Sequence, residues 1–294
     1  MSLEYSLFLG CTTPVRCMNY EVSARNVCRA LDINLIEIDD FSCCGYPTKM
    51  VDKLAYTALG AKNLCLAEQQ GKDVVAFCPS CSATLQKTNQ LLKEDVEYRN
   101  KVNEILKEVD MEFKGTITVK HISAALYNDL GIDKIKSKVN QSLDKLVVAP
   151  HYSCHSLRPS TLDGFSENPM HPVIMDQLIG LTGAKPLDYE NKLQCCGAGL
   201  LFIEENTPAD MTGEKLLNVR NAGADAITVD CPFCNIMYDE YQGTIGKQRQ
   251  IEFNLPVLFI TQLLGLAFKM DPKKELLLQK NQVKTKKLLK KLQL

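Results

Sequence analysis

The sequence predicts an α/β protein made of two pseudo-symmetric, duplicated halves, each a Rossmann-like unit with parallel strands. Short apolar segments that resemble buried strands alternate with longer segments of helical spacing, a pattern typical of parallel sheets joined by crossover helices. The same order of strands, helices and cysteines then occurs a second time. This repetition indicates an internal duplication.

In the first half, predicted strands lead towards Cys11, Cys43 and Cys78. The predicted elements are, in order, a strand over 5–10, a helix over 18–31, a strand over 34–38, a helix over 50–70 with Gly71 as its C-cap, a strand over 73–77, a helical pattern over 82–109 and a strand over 116–121. A further helix is expected after the last strand.

The second half repeats this order after a polar, lysine-rich segment over 132–144, which we interpret as a linker. Its predicted elements are a strand over 145–150 that leads into Cys154, a helix that ends at Gly183, a helix over 210–222 and a strand over 225–229 that leads into Cys231. We therefore divide the chain into a first domain over 1–140, a second domain over 141–270 and a basic C-terminal tail over 271–294.

The cysteines form the most specific motif of the chain. In each half, a lone cysteine precedes a Cys-Cys-Gly doublet and a Cys-Pro-x-Cys motif. The two sets are Cys11, Cys43, Cys44, Cys78 and Cys81, and Cys154, Cys195, Cys196, Cys231 and Cys234. The lone cysteine recurs after 143 positions, the doublet after 152 and the Cys-Pro-x-Cys motif after 153. Because the carboxyl ends of parallel strands meet at one edge of a sheet, each set is expected to converge at one crevice, and the two crevices can face each other.

Composition excludes several classes of function. The chain has 294 residues, 45% of them hydrophobic, and a formal net charge of −1, which fits a globular core and gives no electrostatic case for nucleic-acid binding. The first residues carry no basic segment, so we expect no signal peptide, a cytoplasmic location and reduced thiols rather than disulfides. The longest apolar run, 255–268, is too short to span a bilayer, so we expect a core or interface helix and no transmembrane segment.

Three kinds of site could use five thiols in each half. Structural zinc takes four ligands, usually from two Cys-x-x-Cys knuckles, whereas one knuckle here has no spacer and a fifth cysteine is present. A dithiol redox site at Cys78 and Cys81 would leave the other cysteines and the duplication unexplained. A regular four-iron cubane also needs only four thiolates. We favour an iron–sulfur cluster. The fifth cysteine is then either a spare thiol or a thiolate that bridges two irons in a cluster that is not a regular cubane, and such a distorted cluster could bind substrate as well as pass electrons.

At these motifs the chain resembles the cysteine-rich CCG-domain family, as represented by the B subunit of heterodisulfide reductase from methanogenic archaea. The resemblance covers both cysteine sets and continues along nearly the whole chain to Gly265. Looser relatives in glycolate, lactate and succinate or fumarate oxidoreductases usually add ferredoxin-type Cys-x-x-Cys-x-x-Cys motifs, which do not occur in this sequence.

The resemblance implies that each half holds one non-cubane 4Fe-4S cluster, with the five cysteines of its set as ligands. Between the two clusters, the mixed disulfide of coenzyme M and coenzyme B would be split into two thiols, and two one-electron clusters match this two-electron reduction. The implied partners of the heterodisulfide reductase complex are its ferredoxin-like C subunit, its A subunit with flavin and iron–sulfur, and a hydrogenase or formate dehydrogenase module. Such a complex would serve electron bifurcation in methanogenesis.

Histidines and further cysteines outside the ligand sets also have expected roles. His155 directly follows Cys154, and we predict that it is catalytic and protonates a leaving thiolate, the alternative being a hydrogen bond to cluster sulfur. A packing or hydrogen-bonding role is expected for His151, and a structural role for His121. Three further cysteines fall outside the repeated pattern and are left out of the ligand sets: Cys17, which is ambiguous, and Cys28 and Cys65, which are expected to be small buried apolar residues.

Cations are expected near the substrate because coenzyme B carries a phosphate and coenzyme M a sulfonate. The candidates that lie near motif cysteines in the sequence are Arg16, Lys49, Arg158 and Lys192. In the tail, Leu288, Leu289 and Leu292 form an apolar helical stripe among lysines, which favours contact with a partner protein.

Two other functions compete with disulfide reduction. The chain could be an electron-transfer subunit of another oxidoreductase, such as a 2-hydroxy acid or fumarate enzyme, or a zinc-stabilised scaffold without enzymatic activity. About eight irons per chain would support the iron–sulfur hypothesis, whereas bound zinc would count against it.

Overall fold

A computed structural model describes residues 3–159, 162, 167–201 and 203–294 of the chain. It contains two separate parallel sheets of four strands each, with helices packed around them. The α/β fold class with two duplicated, parallel-stranded halves is therefore confirmed.

The first sheet has the strand order β2-β1-β3-β4, and every pairing is parallel. Its strands are β1 (Leu3–Phe8), β2 (Ile33–Ile36), β3 (Val74–Ala76) and β4 (Val119–His121). The helices of this half are α1 (Thr12–Arg16), α2 (Met18–Ala30), α3 (Lys53–Gln70), α4 (Pro79–Glu94), α5 (Val96–Leu106), α6 (Ile122–Ala124) and α7 (Ile132–Ser137). The central strand β3 is buried at every position, as expected for a parallel strand covered by helices on both faces.

The second sheet repeats the same order as β6-β5-β7-β8, again with parallel pairings. Its strands are β5 (Val147–Pro150), β6 (Lys185–Pro186), β7 (Ala226–Val229) and β8 (Val257–Phe259). The helices are α8 (Cys154–Leu157), α9 (Ile174–Leu181), α10 (Asn206–Asn221), α11 (Pro232–Asn235), α12 (Gln242–Arg249), α13 (Ile260–Ala267) and α14 (Lys286–Leu292). A π-helical turn follows α6 over Ala125–Leu130, and another follows α11 over Ile236–Glu240.

The two halves are joined by a shared apolar core. A single cluster of buried side chains contains residues from both sheets. Within this cluster Tyr20 of α2 stacks on Phe259 at the end of β8, with ring centroids 4.1 Å apart and planes inclined by 3°. The halves therefore pack on each other as one body, while the domain boundary at residues 140 and 141 stays a prediction.

Two sequence interpretations are wrong in part. The segment over 132–144 is not an irregular linker throughout, because α7 lies within it and both Ile135 and Leu143 are fully buried. The C-terminal segment is not a free tail either. Leu276 packs against Gly265 of α13, and Leu288 and Leu292 are buried within the chain, so these leucines are not available to a partner.

The apolar run over 255–268 forms β8 and α13, and every residue of α13 is buried. This outcome matches the expected core helix. Among the helices in the described part of the chain, none combines the length and apolar character that crossing a bilayer requires.

Candidate metal centre

Two cysteines stand where a central strand passes into a helix. Cys78 follows β3 and is the N-cap of α4, and Cys231 follows β7 and is the N-cap of α11. Both have extended backbone angles and are followed by proline at the first helical position, which needs no N–H partner there. Each strand thus delivers one thiol to the carboxyl edge of its sheet, and the helix turn that follows brings Cys81 and Cys234 back beside it.

Each Cys-Cys doublet is held in a tight loop by the glycine that follows it. Gly45 and Gly197 adopt left-handed backbone angles, with φ of 92° and 83°. A Cβ atom on Gly45 would lie 2.8 Å from the backbone oxygen of Tyr56, and one on Gly197 would lie 2.7 Å from Cα of Pro208. Both backbone conformation and packing therefore require glycine at these positions.

Backbone N–H groups of these loops point at sulfur. The amide of Gly197 donates to Sγ of Cys195 over 3.3 Å, and the amide of Gly45 makes the corresponding hydrogen bond to Cys43. Hydrogen bonds to a thiolate stabilise its charge and influence the reduction potential of an iron–sulfur cluster bound to it.

The structure brings all ten predicted ligand thiols into one continuous assembly. In the second half, Sγ of Cys154 lies 3.8 Å from Sγ of Cys195, and further hydrogen bonds join thiols within both sets. These pairs are Cys43–Cys44, Cys44–Cys81 and Cys81–Cys78 in the first half, and Cys195–Cys196, Cys196–Cys234 and Cys234–Cys231 in the second. Cys11 completes the first set, since it lines one cavity of about 40 Å³ together with the other four thiols of that set.

The two sets also touch each other. The thiol of Cys78 hydrogen-bonds with that of Cys231, its counterpart in the other half. Phe233 of the second half lines the cavity of the first set. The two crevices therefore face each other, with the Cys-Pro-x-Cys motifs at the join.

Within each set, the cysteines at some positions are buried and those at others are more exposed, and the pattern is similar in the two sets. The second cysteine of each doublet and both cysteines of each Cys-Pro-x-Cys motif are buried, whereas Cys43, Cys154 and Cys195 are half-buried and Cys11 is exposed. Each set is thus more deeply buried at its Cys-Pro-x-Cys motif than at its lone cysteine. A group held by the five thiols would be shielded by the first and more accessible at the second.

The protonation of the thiols follows from their mutual hydrogen bonds. Hydrogen bonding with Cys154 and Cys196 lowers the pKa of Cys195 to about 2, while the bond with Cys195 and burial raise the pKa of Cys154. In the first half, hydrogen bonds from Cys231 and Cys81 hold the pKa of Cys78 well below its usual value. These hydrogen bonds favour the thiolate form of one cysteine in each set, and the thiolate is the form of cysteine that binds metal.

The donor atoms select the kind of metal group. Each set offers five sulfur atoms and no carboxylate oxygen, and soft thiolates suit iron–sulfur clusters or zinc rather than magnesium, calcium or manganese. Zinc in a structural site takes four ligands. The five-sulfur sets therefore fit an iron–sulfur cluster.

His155 lies at the join between the halves. Its Nδ1 atom is 3.4 Å from Sγ of Cys154 and 3.2 Å from the hydroxyl oxygen of Ser80 in the first half. Its ring makes an edge-to-face contact with Tyr46, with centroids 5.1 Å apart. Burial lowers the pKa of His155 below its ordinary value. The predicted acid is thus within reach of both halves.

His151 and Lys215 form a buried group beside the second set. Nε2 of His151 lies 3.2 Å from Sγ of Cys234, and the ligand atoms of His151, Cys196 and Cys234 all lie within 4.8 Å of one another. On the other side of the ring, Nζ of Lys215 is 3.1 Å from Nδ1. The sequence analysis did not identify Lys215. Alignment of the two Cys-Cys doublets could have drawn attention to it, because the position equivalent to Lys215 in the first half is not a lysine.

A second buried pair, also missed, lies between the halves. Nδ1 of His121 is 3.7 Å from Oδ2 of Asp230, and both side chains are buried. Burial lowers the pKa of His121 to about 4 and raises that of Asp230 to about 7. Both residues line a cavity of about 30 Å³ between the halves, together with His155 and Glu167. His121 is the last residue of β4. It is far from the cysteine motifs in the sequence, but the fold places it close to Asp230, which precedes Cys231.

The remaining candidates lie outside the two sets. Cys17, Cys28 and Cys65 are buried, and burial raises the pKa of each thiol to about 12. Arg16 pairs with Glu240, and Lys192 pairs with Asp176 over 2.8 Å. Two of the four candidate cations are thus already neutralised by carboxylates of the chain itself.

Comparison with known proteins gives a consistent picture. The profile of the CCG family, described as a cysteine-rich domain, matches residues 5–86 and 148–239. The chain is 38% identical, over 92% of its length and 90% of the relative's, to the B subunit of the ferredoxin/F420H2-dependent CoB-CoM heterodisulfide reductase of Methanosarcina acetivorans. It is 32% identical, over 98% of its length and 100% of the relative's, to the 8-methylmenaquinol:fumarate reductase membrane anchor subunit of Wolinella succinogenes.

A solved structure shares the fold. A hypothetical protein from Helicobacter pylori superposes with a TM-score of 0.73 at 18% identity, covering 96% of this chain. The chain spans about half of that protein, 52% of its length. The two matched segments of the family profile contain both cysteine sets and both sheets' central strands. The chain belongs to the cysteine-rich CCG-domain family, together with the B subunits of heterodisulfide reductases.

Proposed function

We propose that the chain is the disulfide-cleaving subunit of a CoB-CoM heterodisulfide reductase, with an iron–sulfur cluster in each thiol set. The observation that carries the proposal is the contact of two five-thiol sets at Cys78 and Cys231. A disulfide has two sulfur atoms and takes up two electrons, so two adjacent one-electron centres match it. The relative from Methanosarcina acetivorans is named for this activity.

The reaction needs two electrons and two protons for each disulfide. One cluster in each set would supply one electron, so that the S–S bond breaks and two thiolates result. Each thiolate must then gain a proton to leave as a thiol. His155 lies beside Cys154 and contacts Ser80 of the other half, which supports its role as the group that delivers a proton at the join.

The surroundings of the two sets support the same assignment. The half-buried Cys195 and the exposed Cys11 mark the sides from which a substrate sulfur can approach. Lys49 is exposed next to the Tyr46 turn, and its charge acts on His155. We propose Lys49 as a contact for the sulfonate or phosphate of the substrate, since a cation there complements the substrate charge. Electrons would come from the C and A subunits of the complex.

The experiment combines metal analysis with a matched pair of variants. The chain, purified without oxygen, should contain about eight irons and equal sulfide. Cys196→Ser should lose about half of this iron and all turnover, whereas Cys17→Ala, which removes a buried thiol outside the sets, should keep both. Zinc in place of iron, or full turnover in Cys196→Ser, would refute the proposal.

A second candidate function is electron transfer within another oxidoreductase. The 32% identity over the whole fumarate reductase subunit favours it. Addition of the coenzyme M–coenzyme B disulfide to the reduced, iron-loaded chain separates the two functions. Oxidation of the clusters by the disulfide supports the first, and their failure to react supports the second.

A further inference from the structure

A lysine is buried deep in the second half. Lys215 on α10 has no exposed surface. Its Nζ atom donates hydrogen bonds to the backbone oxygens of Gln194 and Lys192, over 2.6 and 3.0 Å, and to Nδ1 of His151 over 3.1 Å. A protonated amine has three N–H donors and no acceptor. The three acceptors therefore match a charged lysine.

The lysine fixes how His151 meets the second thiol set. Because Nδ1 accepts a hydrogen bond from Lys215, the proton of the neutral ring is on Nε2. That atom lies 3.2 Å from Sγ of Cys234. His151 therefore donates a hydrogen bond to sulfur, and it has no free lone pair with which to bind a metal itself.

The first half lacks both groups at the equivalent positions. When the two doublets are aligned, Asn63 stands opposite Lys215, and when Cys11 is aligned with Cys154, Phe8 stands opposite His151. Asn63 also holds its doublet loop through hydrogen bonds. It accepts one from the backbone amide of Ser42 over 2.9 Å and donates one to the backbone oxygen of Cys43 over 3.1 Å. The duplicated loops are thus held alike, by a neutral amide in one half and by a cation in the other.

This difference affects how readily each site takes up an electron. Reduction makes an iron–sulfur cluster more negative, and its potential depends on local charge and on hydrogen bonds to its sulfurs. A buried cation and an N–H donor both stabilise the reduced form, more strongly at low dielectric than in water. Only the second set has these two groups at the compared positions.

We propose that Lys215 and His151 give the second thiol set the higher reduction potential, so that electrons pass from the first half to the second. The two residues act as positioning residues, through charge and through the sulfur of Cys234. This inference rests on the proposed iron–sulfur clusters, and it adds the direction of electron transfer between them. The first half is the donor site and the second half is the acceptor site.

The test is a redox titration of the iron-loaded chain followed by EPR. Two midpoint potentials are expected, and the Cys196→Ser variant, which keeps only the first cluster, assigns the lower one to the first half. Lys215→Gln keeps donors for the carbonyl oxygens but removes the charge, and His151→Phe introduces the residue of the first half. Each of these two substitutions should lower only the higher midpoint potential. A shift of about 59 mV corresponds to a tenfold change in the ratio of oxidised to reduced cluster.

Asn63→Ala is the matched control, and it should leave the higher potential unchanged. Iron content is measured on every variant, so that a folding defect is recognised as lost iron. If iron is bound but the two potentials coincide, or if neither Lys215→Gln nor His151→Phe moves the higher one, the inference is wrong and the proposed function stands. If the parent chain binds no iron, both are wrong.

Discussion

Replacement of Gly197 by alanine tests how strictly the doublet loop is specified. Gly197 has φ of 83°, and an added Cβ would lie 2.7 Å from Cα of Pro208 in α10. Gly223 has almost the same φ, 85°, but a Cβ there would meet nothing within 4 Å. The pair therefore separates the cost of the backbone conformation from the cost of the contact.

The magnitudes follow from these two contributions. A left-handed conformation costs alanine about 1–2 kcal/mol, and this is the whole expected effect in Gly223→Ala. Overpacking against helix backbone adds about 1–3 kcal/mol in Gly197→Ala, for a total of about 2–5 kcal/mol. Because the amide of residue 197 also bonds Cys195, the iron of the second site should be lost in that variant only.

The assay is urea unfolding followed by circular dichroism, with iron analysis on the same samples. The unfolding midpoint of Gly197→Ala should lie well below that of Gly223→Ala, and the slope of the transition should be unchanged. Equal midpoints for the two variants, with iron retained in both, would show that the loop tolerates a side chain and would refute the reasoning.

Three further predictions concern other parts of the chain. The pKa of His121 is lowered to about 4 by burial, so the folded state resists its protonation, and the contribution of this side chain to stability is lost as pH falls from about 6.5 to 4. Relative to His121→Gln, which keeps Asp230, the parent should therefore lose about 3 kcal/mol over this range in unfolding experiments. Parallel pH profiles of the two proteins would contradict this. His155→Gln should lower turnover by about 10² or more with iron content unchanged, whereas full turnover would remove His155 from the reaction. Leu276→Ala should lower the free energy of unfolding by about 2–5 kcal/mol, because this side chain is fully buried against α13. A change below about 0.5 kcal/mol would mean that the C-terminal segment is not part of the folded core.

Much of the architecture could be predicted because it depends on local pattern. The strands that deliver Cys78 and Cys231 are short apolar runs, and parallel pairing follows from the helices between them. Gly71 ends α3 in a left-handed conformation, as its position predicted. The convergence of each cysteine set follows from the same rules.

What the sequence could not provide depends on how the halves meet. The contact of His121 with Asp230 joins residues more than 100 positions apart across the interface, and no periodicity encodes it. Lys215 lies on a helix with a mixed polar pattern, and only its three buried acceptors show that the charge points inwards. The sequence shows the apolar stripe that contains Leu288 and Leu292, but it does not show that this stripe packs on the rest of the same chain rather than on a partner.

The contact between Cys78 and Cys231 has a consequence for the origin of the molecule. These cysteines are equivalent in the two halves. Contact between equivalent residues is the pattern of an isologous dimer, in which one surface patch meets its own copy. A single half, before duplication and fusion, could have formed this thiol pair by associating with an identical copy. Fusion of the two copies then allowed one side alone to acquire a charge, which an assembly of identical chains cannot do.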